Sequence, residues 1–323
     1  MKKIISILLI LTLTLMALIS CGDNSDTGDK TSINVSVLSG TTGFGMAQLM
    51  EKNANSESKN SYNFSIVAEK ADSIIAGLSN NSIDIAALPT NAASVVYNKT
   101  NGGVKILAIN TLGVLYLLQT GDTIKSISDL EGKTIYAPPQ NPTFILKYLL
   151  DKNNIIATID STYSPVDLRT NFVSGVLGED AIVVLPEPMV TIAKNANKAI
   201  SVALDLTEEW NKVCDTQLVQ GCIVARTEFI NENPEAVKLF LDEYEESIKF
   251  LQENVTEAAA LVSKHKIFEN QNVAKLAIPN CNVTYMDGNQ MKQAMIGFLT
   301  AMKEIQPLSI GGKLPEDDFY YSK

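Results

Sequence analysis

The sequence predicts an α/β fold in two lobes with a helical C-terminal segment. Three observations predict it. Short apolar strands alternate with helical stretches, as in a sheet covered by helices. The alternation runs through once, then begins again in the middle of the chain. About 300 residues lie beyond the first apolar segment, enough for two lobes of roughly 100 to 150 each.

The elements follow in order. Ile33 to Leu38 (INVSVL) alternates apolar and polar residues and reads as a strand. A glycine-rich turn, Ser39 to Gly45, leads to a helix from Met46 to Asn53. Tyr62 to Glu69 is a second strand, Ala71 to Ser79 a short helix, and Ile83 to Leu88 a third strand. Pro89-Thr90-Asn91 opens a helix over Ala92 to Tyr97, and Val104 to Asn110 is again a strand. Leu112 to Gln119 starts the second round, followed by a turn at Ile127 to Gly132 and a strand at Lys133 to Ala137. Pro138 to Thr143 leads into a helix from Phe144 to Asn153, and Val166 to Gly175 reads as a helix ended by its glycine. Ala181 to Leu185 is a buried strand stopped by Pro186-Glu187-Pro188, with a helix from Met189 to Asn195. Ala199 to Leu206 and Gln217 to Arg226 are strand-like. A long helix runs from Asn233 to Asn254 with proline in its first turn, and helical segments continue to Met302.

The chain begins with Lys2 and Lys3, an apolar run from Ile4 to Ile19, and Ser20-Cys21. This is a secretory signal layout, shorter than the ~20 apolar residues of a membrane span. Its end resembles a bacterial lipobox, which places residues 1–21 in a signal peptide and a lipid such as palmitate on Cys21. An uncleaved N-terminal anchor is the other reading, and either holds the rest outside the cytoplasmic membrane. Residues 22–31 (GDNSDTGDKT) are too polar to order themselves and read as a flexible tether.

The net charge is −10, from 26 Lys and Arg against 36 Asp and Glu, which argues against nucleic acid as a partner. Arg169 and Arg226 are the two arginines, so a clamp of several arginines on a carboxylate or phosphate is excluded. Beyond Cys21 the cysteines are Cys214, Cys222 and Cys281, and the one histidine is His265. Their spacing fits no metal pattern, and no metal or cofactor is expected. A Cys214–Cys222 bridge is conceivable outside the cell, with buried free thiols as the alternative.

Four segments carry a family resemblance when taken in order: Ser82 to Thr90 (SIDIAALPT), Ser128 to Ile135 (SDLEGKTI), Leu185 to Pro188 (LPEP) and Phe229 to Val237 (FINENPEAV). With the lipobox and the glycine turn, the chain resembles the substrate-binding proteins of ABC importers, nitrate/sulfonate/taurine type. That branch is also similar to proteins that bind pyrimidine precursors of thiamine. The resemblance implies a type II periplasmic-binding-protein-like fold with two crossover strands. Lobe one would be residues 32–111 plus 220–323, and lobe two residues 112–219. It implies a monomer, tethered to the membrane outside the cell by its lipid. This receptor would deliver a small molecule to a permease with its ATPase subunit.

Ligands of open α/β sheets bind beyond the carboxyl ends of the strands, where helix N-termini present free N–H groups. Thr41, Thr42, Gly43, Phe44 and Gly45 fit such a turn, with glycines for close approach and a ring for stacking. An ordinary turn with Phe44 in the core is the alternative. Thr90 and Asn91 can cap a helix or face a ligand. Gln140, Asn141 and Thr143 suit a neutral polar ligand, or a proline-stiffened loop. Glu187 can accept from a ligand amine or cap its own helix. Asn110, Thr111, Gln220 and Gly221 lie on the expected crossovers and should border the cleft.

Trp210 reads as a half-buried anchor or a stacking ring. Arg169 and Arg226 read as surface ion-pair residues, and His265 as part of a solvated helix face. The pairs Glu208-Glu209 and Glu245-Glu246 read as exposed helix charge. No catalytic residues are assigned, since His265 has no nucleophile partner in the pattern and there is no P-loop. The ligand classes left open are a sulfonate-like anion and a pyrimidine or vitamin-precursor heterocycle. Two other functions stay open: a pyrimidine-precursor synthesis enzyme of the same fold, and a ligand-binding sensor or surface lipoprotein.

Overall fold

Two mixed sheets organise the chain in this computed structural model, which describes residues 30–68 and 71–322. The segments expected to be a signal peptide and tether, with Cys21, lie outside the described residues except for residues 30 and 31. Residues 32–323 form one unit.

The first sheet has the order β11-β4-β10-β3-β1-β2. Its strands are β1 (Ser32–Leu38), β2 (Ser61–Val67), β3 (Ile85–Pro89), β4 (Val104–Leu112), β10 (Val219–Arg226) and β11 (Val283–Met286). β1 pairs in parallel with β2 and β3, while β10 runs antiparallel between β3 and β4. The second sheet has the order β7-β6-β8-β5-β9. It is built from β5 (Leu115–Gln119), β6 (Thr134–Tyr136), β7 (Thr158–Asp160), β8 (Ile182–Pro186) and β9 (Ser201–Asp205). β6 lies parallel to both β7 and β8, and β5 runs antiparallel between β8 and β9.

The helices flanking the first sheet's early strands are α1 (Thr41–Phe44), α2 (Ala47–Ala54), α3 (Asp72–Ser79) and α4 (Thr90–Thr100). The middle segment supplies α5 (Asn141–Lys152), α6 (Pro165–Val173), α7 (Met189–Ala196) and α8 (Leu206–Val213). The C-terminal part is α9 (Thr227–Glu232), α10 (Pro234–Glu253), α11 (Val255–Lys264), α12 (Gln271–Ala277) and α13 (Gly288–Ile305). The chain leaves the first sheet between Leu112 and Leu115 and returns between Val213 and Val219. These are the two crossings of a two-lobed α/β fold.

Strand alternation decides which side chains meet which helices. On one face of the first sheet Val35, Val37 and Ile223 pack with Phe44, Phe240 and Tyr244. On the other face Leu88 and Val224 pack with Val96, Phe298 and Phe319, and this core continues to Leu117 and Ile135 of the second sheet. The far face of the second sheet buries Leu118, Val183 and Leu185 under Phe172 and Val190.

Four strands and helices lie outside the simple alternation. β7 and β11 are only three and four residues long, too short for a period to show. Ser39 to Gly45 contains a single helical turn, α1, rather than an open loop. α8 takes in Trp210, which is neither a surface anchor nor exposed to a ligand but fully buried. Its indole N–H donates to the Thr216 carbonyl at 2.6 Å, and its ring lies 4.8 Å from Tyr148 and 6.1 Å from Phe298. Glu209 is likewise buried, with Lys212 at 2.6 Å, whereas Glu208, Glu245 and Glu246 are exposed.

The three described cysteines are free thiols. Among the described residues no helix is long and apolar enough to cross a membrane.

Trp210 joins α5, α8 and α13 to the returning crossover, so its loss should be felt globally. Trp210→Ala is expected to lower the unfolding free energy by ~3–5 kcal/mol, the range for large buried aromatics. Urea denaturation checks it; a loss under about 1 kcal/mol would show the indole to be dispensable.

Candidate functional site at the facing strand ends

Parallel pairing sends the loops after β1 and β3 out of one edge of the first sheet. β4 points the same way, because both it and β3 are antiparallel to β10. Gly221 pairs with Pro89 on one side and Thr111 on the other, so one row across the sheet holds all three at this edge. In the second sheet β6 and β8 are parallel, so the Gln140–Thr143 turn and Glu187 also leave by one edge. The two edges meet where the Thr41 hydroxyl donates to the Glu187 carbonyl at 2.9 Å. The Tyr116 hydroxyl makes a second link, donating to the Asn280 carbonyl at 3.1 Å.

The glycine turn is held tightly. The Gly40 N–H donates to the Ile267 carbonyl at 3.0 Å. A Cβ on Gly43 would stand 2.5 Å from the Leu38 carbonyl oxygen and 2.8 Å from Ile267, so only glycine fits. Phe44 has no exposed surface and packs edge-on against Phe268 at 6.2 Å. Its ring is part of the core, and the side chain of this turn that touches the facing sheet is Thr41.

Asn110 ties that turn to the crossover strands. Its amide donates to the Thr42 carbonyl and to the Tyr244 hydroxyl, both at 3.0 Å. Its Oδ1 accepts from the Thr111 hydroxyl at 3.1 Å. Gln220 Oε1 accepts from the Val114 N–H at 2.7 Å, across the outgoing crossing. Thr90 donates to the Val219 carbonyl at 2.9 Å, and Asn91 to the Ser309 carbonyl at 3.2 Å. Each of these polar groups has a structural partner.

On the second sheet, Glu187 is buried and caps α7. Its carboxylate accepts from the Thr191 N–H at 3.1 Å and the Thr191 hydroxyl at 2.9 Å. Burial pushes its carboxyl above the ordinary carboxylate range, against the two Thr191 bonds and the charge of Lys194. Thr143 donates to the Pro138 carbonyl at 2.8 Å. Gln140 is exposed, while Asn141 is buried and its Oδ1 has no partner.

Residues distant in sequence complete the edge. Cys281 lies 3.6 Å from the Thr41 hydroxyl. Asn282 donates to the Gly113 carbonyl at 2.6 Å and holds φ at 44°, in the left-handed region. Pro279-Asn280-Cys281-Asn282 has turn composition, the one local signal that marks it. Burial raises the Cys281 and Cys222 thiols far above the reactive range.

The remaining singled-out residues lie elsewhere. Arg226, read as a surface ion pair, is buried at the opposite end of β10, where it meets Asp84 and Glu228, each at 2.9 Å. Arg169 bonds its neighbour Thr170 on α6 at 3.1 Å. His265 is not on a free helix face; it sits at the end of α11, 2.8 Å from Glu51, which also pairs with Lys264. Among the described residues no cluster of three or more His, Cys, Asp or Glu could hold a metal ion.

No curated protein matches the chain in sequence. Solved structures share its fold. An ABC transporter protein from Parabacteroides distasonis superposes with a TM-score of 0.76 at 21% identity, over 91% of this chain and 100% of that one. The periplasmic aliphatic sulphonate binding protein SsuA from Escherichia coli gives 0.72 at 14% identity, over 91% and 93%. The zinc-bound ligand-binding component of an ABC-type import system from Staphylococcus aureus gives 0.68 at 14% identity, over 90% and 97%. These likenesses establish the periplasmic-binding-protein fold. The family model described as "Menaquinone biosynthesis" matches residues 44–300, most of both sheets and the C-terminal helices, and the chain therefore belongs to the menaquinone biosynthesis family.

Proposed function

We propose that the chain is the extracytoplasmic solute receptor of an ABC importer, lipid-anchored at Cys21, with residues 22–31 as its tether. Residues 32–111 plus 220–323 and residues 112–219 act as its two lobes, and it works as a monomer beside its permease and ATPase subunit. The observation that carries this reading is the meeting of two sheet edges, each formed by carboxyl ends of parallel strands, across the Thr41–Glu187 bond. Ligands of open α/β sheets sit at such ends. Two crossings of a few residues each let the edges part by hinge motion. The solute is a small organic molecule, either a sulfonate-like anion or a pyrimidine-type heterocycle.

A second reading is favoured by the family match over residues 44–300: an enzyme of the same fold acting on a small molecule. The side chains at the meeting edges favour the receptor. Cys281 is held as a neutral thiol and Glu187 spends both carboxylate oxygens on Thr191, while the one histidine, His265, lies away from these edges, paired with Glu51.

A thermal-shift panel of taurine, alkanesulfonates, nitrate, hydroxymethylpyrimidine and riboflavin separates the classes. A true ligand at 100 times its Kd should add ~2.7 kcal/mol of stability. Reversible binding without product, read by mass spectrometry, supports the receptor; turnover supports the enzyme, and no shift with any compound rejects the solute classes named.

Glu187 gives a second test. Its carboxyl is held above the unfolded value, so the folded chain favours the proton. Its contribution is full below about pH 4.3 and is lost as pH rises through the raised folded value. Glu187→Gln is expected to gain stability relative to the parent as pH rises above about 4.3 in urea titrations. A difference independent of pH would show that the carboxyl does not titrate abnormally.

A further inference from the structure

We propose that Asn141 reads the ligand's hydrogen-bonding edge, so that the solute is a neutral nitrogen heterocycle or amide rather than an oxyanion. This rests on the receptor reading of the same edge. Asn141 is the first residue of α5, a twelve-residue helix. It is 8% exposed, and its Oδ1 is closed to solvent with no partner. By contrast Thr41, Thr90, Asn91, Asn110, Thr143 and Glu187 at the facing edges are committed to backbone groups or to neighbouring side chains. A buried amide oxygen without a partner costs about 1–3 kcal/mol, which a ligand N–H recovers.

The chemistry of this helix start selects against an anion. Oxyanions are held by successive free N–H groups at a helix N-terminus. Here Pro142, the second residue of the helix, has no N–H, so the donors of Asn141 and Thr143 are not consecutive. The oxyanion cradle is therefore interrupted. Neither arginine makes good the loss, since Arg226 is ion-paired at the far edge of the first sheet and Arg169 bonds Thr170. Lys147 and Lys194 are exposed further along α5 and α7. An asparagine side chain carries a donor and an acceptor side by side, and its complement is an adjacent N–H and ring nitrogen or carbonyl. Pyrimidines, lactams and carboxamides present that edge; sulfonates and nitrate do not.

Calorimetry with hydroxymethylpyrimidine, cytosine, nicotinamide, methanesulfonate and nitrate tests this on the parent, Asn141→Leu and Asn141→Asp. The expected result is parent binding to at least one of the three nitrogen compounds. Leucine should then weaken it ten-fold or more, the loss expected for one buried hydrogen bond. Aspartate, which keeps the size but loses the donor, should also weaken it, while the urea midpoint of the leucine variant does not fall below the parent value, since it removes an unpartnered buried oxygen. Parent binding confined to methanesulfonate or nitrate would overturn the inference and leave the receptor standing. Heterocycle binding unchanged in both variants would overturn it too. Conversion of a bound heterocycle to product would remove the receptor reading and keep Asn141 as its specificity residue. Binding of none of the five would overturn both.

Discussion

The Asn110 side chain occupies space that a Cβ on Gly221 would fill, and the facing edges are built around that fact. A methyl group there would stand 2.5 Å from Asn110 Oδ1 and 2.9 Å from Thr111. With only hydrogen on Gly221, Asn110 lies across β10 and reaches both the Thr42 carbonyl and the Tyr244 hydroxyl. Those two bonds fix the glycine turn against the crossover strands from one side, while Gly40 to Ile267 fixes it from the other. Thr41 is thereby held where its hydroxyl meets the second sheet. Two of the three register shifts of β10 against β4 fall at this same point, between Val219 and Gly221 and between Gly221 and Cys222. A bulge at a sheet edge re-aims side chains, and here it coincides with the crossing from one sheet to the other.

The alternation of strands and helices was most legible where a strand is a short run buried on both faces and closed by a residue that cannot continue it. Ile85–Pro89 and Ile182–Pro186 are examples, each an apolar run closed by proline. Asn141, Glu187 and Asn110 were also legible, as polar residues where apolar runs stop. Their partners were not. Whether a threonine at a helix start faces a ligand or a backbone carbonyl depends on what the fold brings opposite it, and for Thr90 that is Val219, 129 residues away. Phe44 and Trp210 show the same limit for aromatics. A ring in a polar neighbourhood of sequence looks available, yet Phe268 and Tyr148, respectively, come from elsewhere to cover it.

β11 and the Asn280–Asn282 turn were illegible for a different reason. β11 is four residues long and pairs with β4, which precedes it by well over a hundred residues. Nothing local distinguishes it from the end of a helical region. Yet this segment touches the junction three times, through Asn280 to Tyr116, Cys281 to Thr41, and Asn282 to Gly113. The C-terminal segment is therefore part of the site's frame as well as a cover for the first sheet. α13 extends that role: a Cβ on Gly297 would stand 2.1 Å from the Thr216 hydroxyl, so this helix lies directly against the returning crossover.

The economy of polar groups at the junction bears on what it can do. A site that performs acid–base or nucleophilic chemistry needs a group left free to exchange a proton or attack. Along these edges the hydroxyls and amides with partners are engaged in holding turns, and the thiol of Cys281 is kept neutral by burial. Their bonds close a space and shape it. One buried amide at these edges, that of Asn141, keeps an acceptor unspent. Shape plus one unspent acceptor is the equipment of recognition, because a ligand that fills the acceptor gains what water cannot supply in a buried place. The family that the chain belongs to and the receptors whose fold it shares thus meet in one framework, and the difference between capture and conversion comes down to whether a proton-transferring group stands beside Asn141. Glu187, a carboxylate on that edge, has committed both of its oxygens to the first turn of α7.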